Sequence, residues 1–256
     1  MKIYNPADCL TPTEMTIIVG GIMGDSSIQR NPGPNGNARI IFRQGWKQFP
    51  YLEWKVQQLQ RWIASPIQGP VFTQFGGAVY SASTVSHPVF TQLHSIIGRK
   101  GQRPLAALPY LTDLGLAVWY MDDGSYSPVG RGVASFHTEC YLPADVDALA
   151  LWLTDRGITS HTKMDKRGPI IYVTADGTRE LVHRIRPYIH PVMAYKVGAE
   201  SEQPSGLPTI QPSRATCIVC GGEFLRAKSK LTCGSECAKR NSAKLHRDYK
   251  QRQSTV

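Results

Sequence analysis

The stretch Leu116-Ala-Val-Trp-Tyr-Met-Asp-Asp-Gly124 decides how this chain is read. An apolar run stops on two acids and a glycine. Counted back to Leu111, it is long enough for about three helical turns, with Thr112 in position to cap the start. The pattern has a forerunner upstream, Met15-Thr-Ile-Ile-Val-Gly-Gly-Ile-Met-Gly-Asp25, preceded by Pro12 and Thr13 as candidate caps. Gly20 and Gly24 lie one helical turn apart and so share a face. Small residues on one face let two helices approach closely. Close approach would bring Asp25 and Asp123 together at neighbouring helix ends. Two carboxylates there repel unless divalent cations lie between them. Such a pair suits metal-assisted cleavage of a phosphodiester, in which a water is activated and the leaving oxygen stabilised. The plainer reading is two core helices ended by polar residues, and the duplication weighs against it.

Working outward, each acid is followed by strand-like and helical pieces in the same order. Arg39-Ile-Ile-Phe-Arg43 alternates, with Ile40 and Phe42 on one face and Arg39 and Arg43 on the other. Gly132-Val-Ala-Ser-Phe-His137 is its candidate equivalent. Amphipathic helices are predicted over Tyr51 to Ile63 and Ala144 to Arg156. Strand-like pieces follow at Pro70 to Tyr80 and Ile170 to Thr174, and a last helix at Gly177 to Tyr188. This is an α+β pattern built on duplication.

Apolar residues make up 41% of the 256, enough for a globular core, and no apolar run is long enough to span a bilayer. No import or secretion signal is read at the N-terminus. The formal net charge is +10, and its location is informative. From Arg214 onward ten Lys/Arg face three Asp/Glu, a formal +7. Basic chains suit partners that carry phosphates, although a solvated basic tail has the same composition.

Leu116 to Gly124 resembles the second motif of LAGLIDADG homing endonucleases that carry both motifs in one chain. Ile18-Val-Gly-Gly-Ile-Met-Gly-Asp-Ser26 resembles the first. Phe136-His-Thr138, the helix from Asp145, Ile170 to Thr174 and Ile189-His-Pro-Val-Met-Ala-Tyr-Lys196 resemble that family's second half. His87-Pro-Val-Phe90 with Gly98-Arg-Lys100 resembles the end of its first. The resemblance covers about residues 13–198. It implies two αββαββα halves with saddle-shaped antiparallel sheets about a pseudo-two-fold axis, the motif helices packing at the axis. It implies that Asp25 and Asp123 bind divalent metal (Mg2+), with Lys100 and Lys196 as the cations beside the scissile phosphate. Asp122 is expected to serve helix packing or support, not ligation. The sheets would lie along the major groove of double-stranded DNA, where base edges carry a distinguishable code. Candidate readers are Gln29, Arg30, Arg39 and Arg43 in the first half, and Arg131, His137, Lys163 and Arg167 in the second. Ser26 departs from the family's glycine, which leaves the acid intact and puts cleavage in doubt.

The chain ends in Cys217-x2-Cys220 and Cys233-x3-Cys237. In a chain read as intracellular, clustered Cys pairs suit tetrahedral Zn2+ better than disulfides, and Phe224 would pack beneath the site. Four structural thiols without metal are the alternative. The expected organisation is a first half-domain at 13–110, a second at 111–198, a linker at 199–213 and a four-cysteine, zinc-finger-like basic tail at 214–256.

The expected function is a monomeric, site-specific endodeoxyribonuclease making a metal-dependent double-strand break in a long asymmetric target. Three alternatives stand beside it: an RNA maturase assisting intron splicing, a cleavage-deficient DNA-binding protein, and a structural zinc-finger protein. DNA is the expected partner, RNA the second, and a membrane is not expected. The expected location is intracellular: the cytoplasm or nucleoid of a prokaryotic or phage-infected cell, or the organelle of synthesis. No intein splicing block flanks the body and the chain opens on Met1, which fits an intron-encoded or free-standing gene.

Overall fold

The computed structural model describes residues 5–32, 36–72, 77–201, 204–207, 213–226, 232–241 and 243. A short α1 (Pro6–Cys9) leads into the first motif helix, α2 (Pro12–Met23). Thr11, not Thr13, caps α2. Its hydroxyl accepts from the Glu14 N–H at 3.2 Å, while the Glu14 carboxylate accepts from the Thr11 N–H at 2.8 Å. This reciprocal pair satisfies two otherwise orphaned donors, and Pro12 occupies the first helical position, where no N–H is needed.

After α2 come β1 (Ser27–Arg30) and β2 (Ala38–Gly45), α3 (Phe49–Gln58), β3 (Gln68–Phe72) and β4 (Ala78–Ser83), then α4 (Pro88–Ile97). The second motif helix α5 (Asp113–Asp123) opens the same series again. It runs through β5 (Gly124–Ser127), β6 (Val133–Phe136), α6 (Pro143–Thr154), β7 (Ser160–Asp165), β8 (Gly168–Val173) and α7 (Ala175–Ile185). The two sheets have matching antiparallel orders, β1-β2-β4-β3 and β5-β6-β8-β7. The duplicated α+β fold is therefore present in full. Two helices are shorter than their apolar patterns. The one beginning near Tyr51 stops at Gln58 and tightens into a 3-10 turn, Gln60–Trp62. The last gives way at Arg186–Tyr188, where Pro187 has no N–H to continue the ladder. The expected piece from Pro70 to Tyr80 spans parts of β3 and β4, and its residues 73–76 lie outside the described residues.

Helices α2 and α5 pack face to face through their smallest residues. A Cβ on Gly20 would stand 2.3 Å from the Gly115 carbonyl oxygen, and one on Gly24 would stand 2.3 Å from the Asp122 Cβ. One turn earlier Thr16 and Thr112 join their hydroxyls at 2.9 Å. Thr112 thus begins α5 without capping it by side chain. Two tyrosines tie each half to the other half's motif helix. Tyr51 donates to the Val118 carbonyl at 3.4 Å and Tyr141 to the Met23 carbonyl at 2.7 Å. Trp119 packs against Phe136 within the second half, their rings tilted by 37° and their centroids 4.4 Å apart.

The chain divides into one compact unit at Met1–Pro208, in which both halves share this seam, and a second at Thr209–Val256. In the second unit β9 (Ser213–Thr216) pairs with β10 (Glu223–Arg226), and residues 235–241 are helical. The rest of the expected basic arm lies outside the described residues, as does part of the expected linker. No helix among the described residues is long and apolar enough to cross a membrane.

Candidate active site

The seam between α2 and α5 delivers three carboxylates to one end: Asp25 just past α2, and Asp122 and Asp123 closing α5. The carboxyl of Asp25 is pushed up to about 7, first by lost solvation and then by the charges of Asp122 and Asp123. The residue itself is exposed, which limits the solvation part, so the neighbouring carboxylates are the stronger physical cause. Asp123 is also raised, by burial, while Lys100 pulls the other way. Lys100 stands beyond the end of α4, after the positive-φ Gly98. Its Nζ lies 2.5 Å from Asp123 Oδ2, so the first half's lysine serves the second half's acid. Burial opposes charge on Lys100, but Asp123 more than offsets it and holds the ammonium protonated. Lys196, on the 3-10 segment Pro191–Val197, is buried, and that burial lowers its pKa against the pull of Asp122, Asp25 and Asp123. Its Nζ donates to the Asp122 carbonyl at 3.1 Å.

Both lysines, Asp123 and His137 line an open pocket of about 480 Å3. Glu139 stands at its rim and holds His137 at 3.2 Å and Arg167 at 3.0 Å. Hard carboxylate oxygens crowded together, with cations beside them, could hold a divalent cation, which would relieve their repulsion.

Ser26, the departure from glycine, is buried, and its Oγ has no hydrogen-bond partner among the described residues. A Cβ on Gly21 would come within 2.7 Å of the Ser26 Oγ, so the missing side chain at Gly21 makes the room. In α5 bulky Trp119 and Tyr120 follow Val118, and a Cβ on Gly124 would stand 2.3 Å from the Tyr120 ring. Each motif carries its small residue where its own helix requires it.

Strand alternation sorts the candidate readers. Gln29 faces Arg39 across β1 and β2, and Arg43 faces Ser81 across β2 and β4, all on the side away from the core. Arg30, next to Gln29, points to the opposite side, opposite Ala38, and its Nε donates to the Gly36 carbonyl at 2.9 Å. In the second sheet Lys163 lies over the Tyr172 ring at 5.1 Å, and His161 meets the same ring at 5.2 Å. Thr162 between them turns to Asp147 of α6, so Lys163 and His161 face away from the helices. Arg131 is in the turn between β5 and β6 and lines a separate pocket with Arg179, His183 and Arg186 of the helical side. Arg30 and Arg131 thus stand apart from the outward sheet faces that carry Gln29, Arg39, Arg43 and Lys163.

A family model described as the LAGLIDADG DNA endonuclease family matches residues 15–181. This chain belongs to the LAGLIDADG DNA endonuclease family. It is 26% identical over 202 residues to the probable intron-encoded endonuclease 1 of Wickerhamomyces canadensis, across 73% of this chain and 85% of that one. It is 30% identical over 202 residues to the cytochrome b mRNA maturase bI2 of Saccharomyces cerevisiae, across 72% of this chain and 47% of the maturase. The chain therefore spans about half of that maturase's length. The homing endonuclease I-WcaI, solved bound to its DNA recognition sequence, superposes with a TM-score of 0.64 at 24% identity, over 73% of this chain and 87% of that one. That likeness is one of fold.

Several residues of this LAGLIDADG site carry no motif that would mark them in the sequence. Glu139 is an ordinary loop acid until the fold brings His137 and Arg167 to it. Lys55 and Gln44 are buried at the helix ends. Lys55 had a readable signal: it continues the core-facing stripe of Tyr51, Leu52 and Leu59, where a charge must find a partner.

In the second unit the four Cys sulfurs all lie within 4.8 Å of one another. Cys220 to Cys233 is 3.6 Å and Cys233 to Cys237 is 3.7 Å. Tetrahedral zinc–thiolate bonds of about 2.3 Å would set sulfurs about 3.8 Å apart, so the set fits zinc. Burial pushes the Cys217 thiol up, but N–H donors from Cys220, Cys233 and Val219 outweigh it and bring the thiol to about 6. Phe224, expected beneath the cluster, is half-buried on β10 opposite Ala215.

Proposed function

We propose that the protein is a site-specific endodeoxyribonuclease that makes a metal-dependent double-strand break in a long, asymmetric DNA target. The observation that carries this reading is the meeting of Asp25 and Asp123 at one end of the α2–α5 seam, where lost solvation and the charges of Asp122 and Asp123 together raise the Asp25 carboxyl. Asp25 and Asp123 would hold Mg2+, which when bound supplies Lewis acidity and an activated water. Lys100 would offset charge developing at the scissile phosphate from the Asp123 side, and Lys196 would do so from the second half. Gln29, Arg39, Arg43 and Lys163 have the outward positions that base or phosphate contacts require, and His137 and Arg167 flank the pocket. Arg30 and Arg131 would serve at most as flanking phosphate contacts. The two halves differ in sequence, so an asymmetric target and a monomeric enzyme follow. The Cys217, Cys220, Cys233 and Cys237 cluster would hold structural Zn2+ and add a basic DNA contact.

A second reading is an RNA maturase that assists splicing, favoured by the 30% identity to the yeast bI2 maturase. Cleavage separates the two. Duplex DNA spanning the insertion site of the gene's host element, with that element removed, is expected to be cut on both strands with Mg2+ and left whole with EDTA. Asp25→Asn and Asp123→Asn are each expected to abolish linear product while retaining binding. Tight binding without cutting by the wild-type protein, with faster splicing of the host intron, would favour the maturase.

A further inference from the structure

The two acids reach the seam by unequal supports. Asp123 is held directly by Lys100. Asp25 has no ion pair among the described residues. Its backbone N–H donates instead to Asp122 Oδ2 at 3.3 Å. The Asp122 side chain is fully out of solvent and gripped from the first half. Lys55 Nζ lies 2.7 Å from Oδ1 and 2.8 Å from Oδ2, and Gln44 Nε2 lies 3.0 Å from Oδ1. Lys55 comes from α3 and is itself 1% exposed; Gln44 comes from β2. Gly24 occupies the matching place on α2, where the Asp122 side chain fills its missing one. The cluster therefore exists on one side of the pseudo-two-fold axis only.

We propose that Lys55, Gln44 and Asp122 form a positioning unit for Asp25, so that the Asp25 side of the site depends on a buried cation from α3 while the Asp123 side depends on Lys100. Lys55 and Gln44 engage both Asp122 oxygens, which withholds this third carboxylate from metal and leaves it to fix the backbone where α2 ends. A buried ion pair seldom stabilises a fold more than apolar residues of like volume would, so its role here is geometric. The inference rests on the reading of Asp25 and Asp123 as the metal-holding pair.

The test replaces the pair with apolar residues, Lys55→Met with Asp122→Leu, and with polar isosteres, Lys55→Gln with Asp122→Asn. The apolar pair is expected to melt near the wild-type Tm, to bind Mn2+ about 10–100-fold more weakly by EPR titration, and to leave a supercoiled target plasmid nicked rather than linear. The polar pair is expected to recover part of the Mn2+ affinity, because an amide oxygen can still accept from the Asp25 N–H. Unchanged Mn2+ affinity with a wild-type ratio of nicked to linear product, or equal slowing of both strands, overturns the proposal. A wild-type protein that cuts nothing overturns the nuclease reading, and the Mn2+ titration then decides this one. In the wild-type protein the Asp25 amide is expected to exchange hydrogen slowly by NMR. Exchange at the rate of an open loop overturns the proposal even where no variant folds.

Discussion

Lost solvation and the charges of Asp122 and Asp123 push the Asp25 carboxyl up to about 7, which makes the metal-free site a source of instability. The ordinary unfolded carboxylate titrates near 4. Between about 4 and 7 folded Asp25 keeps a proton that the unfolded chain has released, so stability falls as pH rises through that window. Asp25→Asn removes the effect. Without metal, the variant should melt about 1–3 °C above wild type at pH 8 and equal to it at pH 4, the size discounted for the exposure of the carboxylate. Mg2+ should raise the Tm of the wild-type protein at pH 8 and not that of the variant. Calorimetry at the two pH values, with and without Mg2+, checks it; a variant less stable than wild type at pH 8 without metal would mean that Asp25 is ionised without strain. That Asp25 and Asp123 stand at the ends of neighbouring helices was legible because the repeated motif marks them. Gln44 and Glu139 were not, because a lone polar residue gives no sign of its partner until the chain is folded.

At the scale of elements, the whole arrangement depends on how closely α2 approaches α5. Backbone stands against backbone there: the nearest atom to a Cβ on Gly20 is the Gly115 carbonyl oxygen at 2.3 Å, which no rotamer change can relieve. Gly20→Val should therefore cost about 3 kcal/mol or more, read from urea unfolding, and separate the acids enough to abolish cutting. Ser26→Gly removes a hydroxyl from a place that its neighbour already accommodates and should leave cutting within a few-fold of wild type. A Gly20→Val protein of wild-type stability would show that the seam is looser than its geometry. The sequence carried this seam well, since small residues one turn apart have a direct packing meaning. It carried strand facing only in part. Alternation ordered Arg39 and Arg43 correctly around Ile40 and Phe42, yet Gln29 and its neighbour Arg30 cannot share a face on one strand, and Arg131 sits in a turn where alternation gives no guidance. The cap moved from Thr13 to Thr11 because the capping box needs its acid three residues on, and Glu14 satisfies that only from Thr11.

At the scale of the molecule, charge and core are divided between the two units. Both four-stranded sheets and the seam belong to Met1–Pro208, whereas Thr209–Val256 carries a formal +7 and, with Cys217 alone buried among its described residues, needs another source of stability. Four sulfurs within 4.8 Å supply one if zinc binds them, because for a module this small the metal's binding energy is its folding energy. A strong zinc chelator should then unfold the second unit, seen as lost NMR dispersion for residues 213–241, while the main melting transition of the first unit stays in place. Deletion of residues 209–256 should leave that transition intact as well. Its effect on DNA should appear in the salt dependence. Every phosphate that the shortened chain no longer neutralises takes about 0.9 from the slope of log affinity against log salt, so removing a tail that tracks the backbone should flatten the slope by about 2–6. A shorter chain with an unchanged slope would show that the tail neutralises no phosphates and would point to a protein partner instead.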